Sequence, residues 1–139
     1  MALKSKIIAL TGSLIFAATA FAKESGCPDL NNIKAEGLSM AVPIVKYSNF
    51  YVAFELNEYG TDSNWGFAIS PVEARSEEEA LRIANGILHT LNAPGIPVEE
   101  NGIETVCSYD TGSTEIFASA HKGDFHISPL KMAHYPNKK

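Results

Sequence analysis

Residues 76–91 read Ser-Glu-Glu-Glu-Ala-Leu-Arg-Ile-Ala-Asn-Gly-Ile-Leu-His-Thr-Leu, and this stretch sets the architecture of the chain. Ser76 and Glu79 form a capping box: the serine side chain accepts from the backbone N–H of Glu79, and that glutamate is expected to reach back to the cap. Beyond the cap, apolar residues recur at helical spacing, which predicts an amphipathic helix with one face on a core. That face carries Ala80, Ala84, Ile87, Leu88 and Leu91.

Segments with strand character lie on both sides of this helix. Residues 49–56 and the run that begins at Trp65 are rich in aromatic and β-branched side chains, and turn formers join them as a hairpin. After the helix, 104–109 and 114–120 form a second predicted hairpin, whereas 96–102 is predicted as a connecting segment. We therefore predict an α+β fold, with an antiparallel sheet of about five strands and one amphipathic helix packed on one face.

Three finer expectations concern the sheet and the tail. Alternation within 49–56 predicts a strand that buries one side only. Pro71 cannot donate to a strand ladder, which predicts an edge position or a bulge. The tail from His121 onward contains Pro129 and Pro136, and we expect it to lie across the surface.

Composition limits the class of protein. The chain has 139 residues, 45% of them hydrophobic, which fits one ordinary globular domain. Its formal net charge is −5. An acidic chain leaves too little basic surface to neutralise several phosphates, so nucleic-acid binding is disfavoured.

The N-terminus has the pattern of an export signal. Lys4 and Lys6 precede an apolar stretch from Ile7 to Phe21, and Ala22 completes a small-residue cleavage site. The stretch reaches only about 22 Å as a helix, too short for a transmembrane anchor. We predict a signal peptide over 1–22 and a single secreted domain over 23–139. That domain would be extracellular, or alternatively periplasmic, with no membrane anchor after cleavage.

Two cysteines, Cys27 and Cys107, remain after that cleavage. Both would reach an oxidising compartment, so we expect a disulfide between them. Closing so long a loop would stabilise the fold by roughly 4 to 5 kcal/mol on the chain-entropy account. The alternative makes Cys107 a catalytic thiol with His121 as its base, and it requires Cys27 to stay unpaired.

A metal site is a weaker hypothesis. His121, Asp124 and His126 lie within six residues, and imidazole and carboxylate groups do bind zinc. Their spacing matches neither the paired histidines of a zinc protease helix nor a Cys-x-x-Cys site, and surface histidines in a hairpin or tail are the simpler interpretation. We keep these three residues as candidates only and expect no cofactor.

Aromatic side chains around the first hairpin are the candidate binding residues. Tyr51, Tyr59 and Trp65 supply large, rigid contact areas of the kind that partner-binding sites use. In a small domain the same residues usually form the core, so both roles stay open.

Several of these features occur together in a known class of proteins. They are the export signal, the Cys27-Pro28 pair, the aromatic strands around Trp65, the Ala- and Ile-rich helix and the Cys107-Ser108-Tyr109 run. The chain resembles small exported proteins of unknown function found in Legionella, some of which are type II secretion substrates. The resemblance implies release from the cell and a role in host interaction, and it implies no activity.

The sequence favours a non-enzymatic binding function. We expect a virulence-associated protein whose partner is a host or surface protein. The signature motifs of common hydrolases, such as Gly-x-Ser-x-Gly, do not occur. A small secreted hydrolase with an unrecognised site and a periplasmic metal-binding protein are the alternatives.

Overall fold

A computed structural model describes residues 26–100, 104–123 and 129–134 of the chain. Within these ranges the helices are α1 (Leu30–Glu36), α2 (Glu77–Thr90) and α3 (Pro129–His134). The strands are β1 (Met40–Pro43), β2 (Phe50–Asn57), β3 (Trp65–Glu73), β4 (Ile96–Glu100), β5 (Glu104–Tyr109) and β6 (Phe117–Lys122). The predicted signal peptide lies outside the described residues.

The strands form one antiparallel sheet in the order β1-β2-β3-β6-β5-β4. The chain therefore builds two units of a helix followed by a three-stranded meander, α1-β1-β2-β3 and α2-β4-β5-β6. Pairing of β3 with β6 joins the two units at the centre of the sheet. The predicted α+β fold is confirmed, with six strands in place of about five, and the described residues contain two short helices besides the single helix predicted.

Helix α2 begins as the sequence predicts. The side chain of Ser76 accepts a hydrogen bond from the backbone N–H of Glu79 at 3.1 Å. The reciprocal bond differs, because Glu79 accepts from the backbone N–H of Arg75 at 2.8 Å and not from the cap itself. The guanidinium of Arg75 also bonds this carboxylate, which explains why the side chain reaches one residue further back.

The main core lies between one face of the sheet and helices α1 and α2. The predicted helix face is confirmed in its centre, because Ala80, Ala84 and Leu88 are buried. Ile33 of α1 packs into the same cluster. Large members of this core that come from the strands include Tyr51, Trp65, Phe67, Ile69, Cys107 and Tyr109.

The opposite face of the sheet is also covered, in its middle. Val52 and Phe54 of β2 and Ala68 of β3 are buried there together with Met132 of α3. The prediction that β2 buries one side only is therefore wrong over 51–54, where residues of both faces are buried. The prediction that the tail lies across the surface is wrong at Met132, because α3 packs its side chain against β2 and β3.

One further expectation needs correction, and another is confirmed. Residues 96–100 are not a connecting segment: they form β4, which pairs with β5 and is an edge strand of the sheet. Pro71 takes the second of the two positions predicted for it, a bulge and not an edge position, because β3 is an inner strand of the sheet. It lies at a bulge, since Tyr51 pairs with Val72 and Ala53 with Ile69, which leaves one extra residue in β3.

A single side chain joins the helical layer to the start of β1. Asn85 of α2 accepts from the backbone N–H of Leu38 at 2.9 Å and donates to the carbonyl of Leu38 at 3.0 Å. Both bonds satisfy backbone groups at a point where the chain turns from α1 toward the sheet. Among the described helices, none has the length and apolar character needed to cross a bilayer.

Candidate functional site: a cleft between three loops

A large opening lies at one end of the molecule, where three loop segments meet. Its walls are residues 26–32, 59–63 and 91–95, with Trp65 and Lys122 also contributing, and its volume is about 1090 Å³. We call this opening the loop cleft. Its size is at the upper end of the range in which proteins bind small molecules, roughly 300 to 1000 Å³.

The wall formed by residues 26–32 is fastened to β5. Cys27 and Cys107 form the predicted disulfide. Next to it, the Tyr109 hydroxyl donates a 2.7 Å hydrogen bond to the carbonyl of Pro28. Asp29 then caps helix α1 by accepting from the backbone N–H of Asn31 at 3.2 Å. Covalent and hydrogen-bonded contacts thus fix a segment close to the predicted cleavage site.

The wall formed by residues 91–95 lies against the same tyrosine. A Cβ atom placed on Gly95 would lie 2.6 Å from Cζ and 2.8 Å from Oη of Tyr109, which is shorter than any normal contact. The Tyr109 ring is itself fixed, because its edge packs on Phe67 with centroids 5.5 Å apart. A glycine is therefore required for the loop to approach β5 this closely.

The wall formed by residues 59–63 is the tip of the β2–β3 hairpin. Tyr59 adopts a left-handed conformation at φ 51, and Gly60 follows at φ 75. The Asn32 side chain donates to the Tyr59 carbonyl at 3.1 Å, which links this wall to α1. Thr61 accepts from the indole N–H of Trp65 at 3.1 Å. The hairpin tip is thus held from both sides.

The described residues that line the cleft carry no net charge. Its charged side chains are two carboxylates, Asp29 and Asp62, and two ammonium groups, Lys34 and Lys122. The other polar groups on its walls are neutral and come from Asn31, Asn32, Thr61, Ser63 and Asn92. Such a lining favours a polar ligand without strong charge over a polyanion.

Two tyrosines at this end of the core keep their protons. Burial raises the pKa of Tyr59 far above its usual value of 10.0, and the nearby carboxylates of Glu55 and Glu36 raise it further. Burial likewise raises the pKa of Tyr109, with a smaller contribution from Asp29. The Tyr109 hydroxyl donates its proton to the Pro28 carbonyl, whereas the buried Tyr59 hydroxyl has no hydrogen-bond partner among the described residues. Neither tyrosine can serve as a base near neutral pH.

The predicted binding aromatics are largely buried. Tyr59 and Trp65 are each 2% exposed, and both belong to the core as well as to the cleft walls. Tyr51 is 8% exposed and lies in the core without lining the cleft. Tyr59 and Trp65 therefore lie at one site, while Tyr51 is separate from it, and a binding role for all three stays a prediction.

One serine–histidine pair exists outside the cleft. Ser119 Oγ and His121 Nε2, two residues apart on β6, lie 2.9 Å from each other. Both side chains are buried on the sheet face opposite α2, beside Ala68 and Gly66 of β3. Backbone N–H groups of a strand paired on both sides are used in the ladder, so those of β6 are not available to stabilise an oxyanion.

The metal hypothesis finds no support among the described residues. His121 contacts Ser119, and no group of three potential metal ligands is found in the part of the chain that the structure describes. Asp124 and His126 lie outside the described residues. The alternative of a catalytic Cys107 is also unsupported, because its sulfur is bonded to Cys27.

Comparison with known proteins places the chain in a family. Residues 26–135 match the domain of unknown function DUF4949. The chain belongs to the DUF4949 family. No curated protein and no solved structure matches it. The expectation of a protein of unknown function is therefore confirmed, whereas the Legionella link and secretion stay predictions.

Sequence reasoning did not find the cleft of this DUF4949 domain. From the sequence, residues 92–95 have no predicted role in binding, and of residues 59–63 only Tyr59 is a candidate binding residue. Cys27 was the sole signal that the N-terminal segment returns to the sheet. No pattern in the sequence indicates that these three loops meet.

Proposed function

We propose that this DUF4949 protein is an exported binding protein and that the loop cleft is where it binds its partner. The observation that carries the proposal is the cleft itself, which is large and walled by three separately anchored loops. Rigid walls lower the entropy lost on binding, which favours a binding site over an accidental gap between loops.

Export is supported by two independent features. The first 22 residues have the three zones of a signal peptide. The disulfide between Cys27 and Cys107 is the kind of bond that persists outside the cytosol. Release through type II secretion and a role in virulence extend this proposal and rest on the resemblance to exported Legionella proteins.

The chemistry of the cleft suggests what it binds. Balanced charges, neutral amides and hydroxyls lie beside apolar groups of Pro28 and Leu91. These groups suit a short segment of a host or surface protein, which offers backbone donors and acceptors together with small apolar side chains. A host or surface protein is therefore the proposed partner.

A blocking variant tests the proposal. Asn92 lines the cleft and is exposed, so Asn92→Trp should fill the opening without disturbing the core. Thr114→Trp, at an exposed site in the β5–β6 connection, is the matched control. Binding to a panel of short peptides and oligosaccharides, measured by thermal shift and calorimetry, should be lost in Asn92→Trp and kept in Thr114→Trp. Equal binding by both variants would refute the assignment of the cleft.

A hydrolase is the second candidate, and only the Ser119–His121 contact favours it. Turnover of generic ester or peptide substrates that disappears in Ser119→Ala would establish this alternative. The burial of both side chains argues against it, since a substrate would have to displace packed residues to reach the hydroxyl.

A further inference from the structure

The connection between β1 and β2 exposes apolar side chains in a way that the rest of the fold does not explain. We call residues 44–50 the β1–β2 tip. Tyr47 is 90% exposed, Val45 63% and Phe50 46%. These three exposed side chains come from seven consecutive residues, so they lie close together at one end of the sheet.

The tip is an ordered turn that holds its aromatic residue outward. The backbone N–H of Ser48 donates to the Val45 carbonyl at 2.9 Å, which closes the turn. Ile44 and Phe50 pair at its base, and Ala74 donates to the Asn49 carbonyl at 2.8 Å. These bonds fix the turn to both neighbouring strands.

Tyr47 has an unfavourable backbone conformation at this turn. Its φ is 65, in the left-handed region where glycine or asparagine is usual at the third position of a turn. Because the Tyr47 side chain is 90% exposed, it contributes little to the packing of the fold. Strain that persists without a structural benefit points to a role of the side chain outside the folded domain.

The charge pattern indicates what the tip meets. The chain carries 16 acidic residues, yet none lies between Glu36 and Glu55, where Lys46 is the only charged residue. The Lys46 ammonium lies 5.4 Å from the centroid of the Tyr47 ring. The nearest acidic residue in the sheet register is Glu73, which pairs with Phe50 at the base of the tip.

We propose that the β1–β2 tip inserts into the interface of a lipid bilayer that contains anionic headgroups. Tyrosine and other amphipathic aromatics prefer the headgroup level, and a lysine beside them can extend its ammonium to a lipid phosphate. A protein interface fits the tip less well, because stable ones bury about 800 Å² on each partner, from some 20 to 30 residues. This proposal is independent of the loop cleft.

Vesicle flotation of the exported protein, residues 23–139, tests the proposal. Vesicles of phosphatidylcholine and phosphatidylglycerol in equal amounts should carry the protein with them, and pure phosphatidylcholine vesicles should carry less. Tyr47→Gly should lower the partition coefficient about tenfold, through loss of buried apolar area. This variant also removes the backbone strain, so its thermal stability should equal or exceed that of the parent protein.

Matched variants distinguish insertion of the β1–β2 tip from nonspecific adsorption of the protein to the vesicles. Leu56→Ser removes an exposed apolar side chain from the other end of β2 and should leave vesicle binding unchanged. Lys46→Gln should remove the preference for phosphatidylglycerol. In Tyr47→Trp, a blue shift of the new fluorescence on adding vesicles reports insertion, because Trp65 is already buried.

Two outcomes would overturn the proposal. One is failure of the parent protein to float with either vesicle. The other is equal flotation of Tyr47→Gly and the parent protein.

Discussion

Replacement of Gly95 by alanine should destabilise the protein strongly, although it adds a single methyl group. The new Cβ would lie 2.6 Å from Cζ of Tyr109. Carbon atoms in contact prefer about 3.5 to 4.0 Å, so the loop or the ring must move by about 1 Å. Tyr109 cannot move without loss, because it is buried against Phe67 and donates its hydrogen bond to Pro28.

The size of the effect follows from these contacts. Overpacking of this kind costs about 1 to 3 kcal/mol. Loss of the Tyr109–Pro28 hydrogen bond would add about 1 kcal/mol. The sum of about 2 to 4 kcal/mol is a large part of the 5 to 15 kcal/mol of net stability typical of a domain. At about 4 °C per kcal/mol for a domain of this size, Tm should fall by about 8 to 16 °C.

Urea and thermal unfolding of four variants test this reasoning: Gly95→Ala, Gly86→Ala, Tyr109→Leu and the double variant Tyr109→Leu/Gly95→Ala. Gly86→Ala is the control, because a Cβ at that helical position meets no atom within 4 Å and should stabilise the helix by about 0.5 to 1 kcal/mol. In a Tyr109→Leu background, which removes the far end of the ring, Gly95→Ala should cost little. The reasoning fails if Gly95→Ala is as stable as the parent protein, or if its cost is undiminished in the Tyr109→Leu background.

Three other perturbations have clear expected results. Asn85→Ala leaves the N–H and carbonyl of Leu38 without their side-chain partner, so it should lower the free energy of unfolding by about 2 kcal/mol. Urea titration measures this change, and an unchanged unfolding midpoint would contradict the role of Asn85. Joint replacement of Cys27 and Cys107 by serine should lower the free energy of unfolding by about 2 to 5 kcal/mol and weaken ligand binding at the cleft. A double variant as stable as the parent protein would contradict the anchoring role of the disulfide. Hydrogen bonding from the backbone of Arg75 lowers the pKa of the Glu79 carboxyl. The ionised carboxylate therefore stabilises the folded protein at pH values above the unfolded-state pKa, and this stabilisation is lost as the pH falls through the folded-state pKa. Glu79→Gln should therefore be less stable than the parent at neutral pH and equal to it in acid, and a difference that persists in acid would count against this linkage.

The elements with strong local signals could be predicted from the sequence. Ser76 and Glu79 define the start of α2, and the aromatic runs define β2 and β3, because capping and alternation are local properties. Strand β4 was missed because it is short, lies at an edge and contains Pro97, so it resembles a loop. Helix α3 was missed because six residues are too few to show a period, and Met132 is buried only through its contact with the far face of the sheet.

The loop cleft could not be predicted because it depends on long-range arrangement. Residues 59–63 meet 26–32 and 91–95 only after the sheet order is set and the disulfide pins the N-terminal segment to β5. The aromatic residues predicted from the sequence to bind a partner show why the sequence alone was not sufficient. Their type suggests recognition, but only the structure shows that Tyr59 and Trp65 border an opening while Tyr51 does not.

Mapping of ligand contacts by NMR tests the central claim most directly. Amide spectra of the exported protein are recorded while a library of small polar fragments is added. The account predicts that fragments that bind shift the signals of Asn31, Gly60 and Asn92, which come from the three walls of the cleft. Shifts confined to other surfaces, or no fragment binding at the cleft, would contradict the claim that this opening is the binding site.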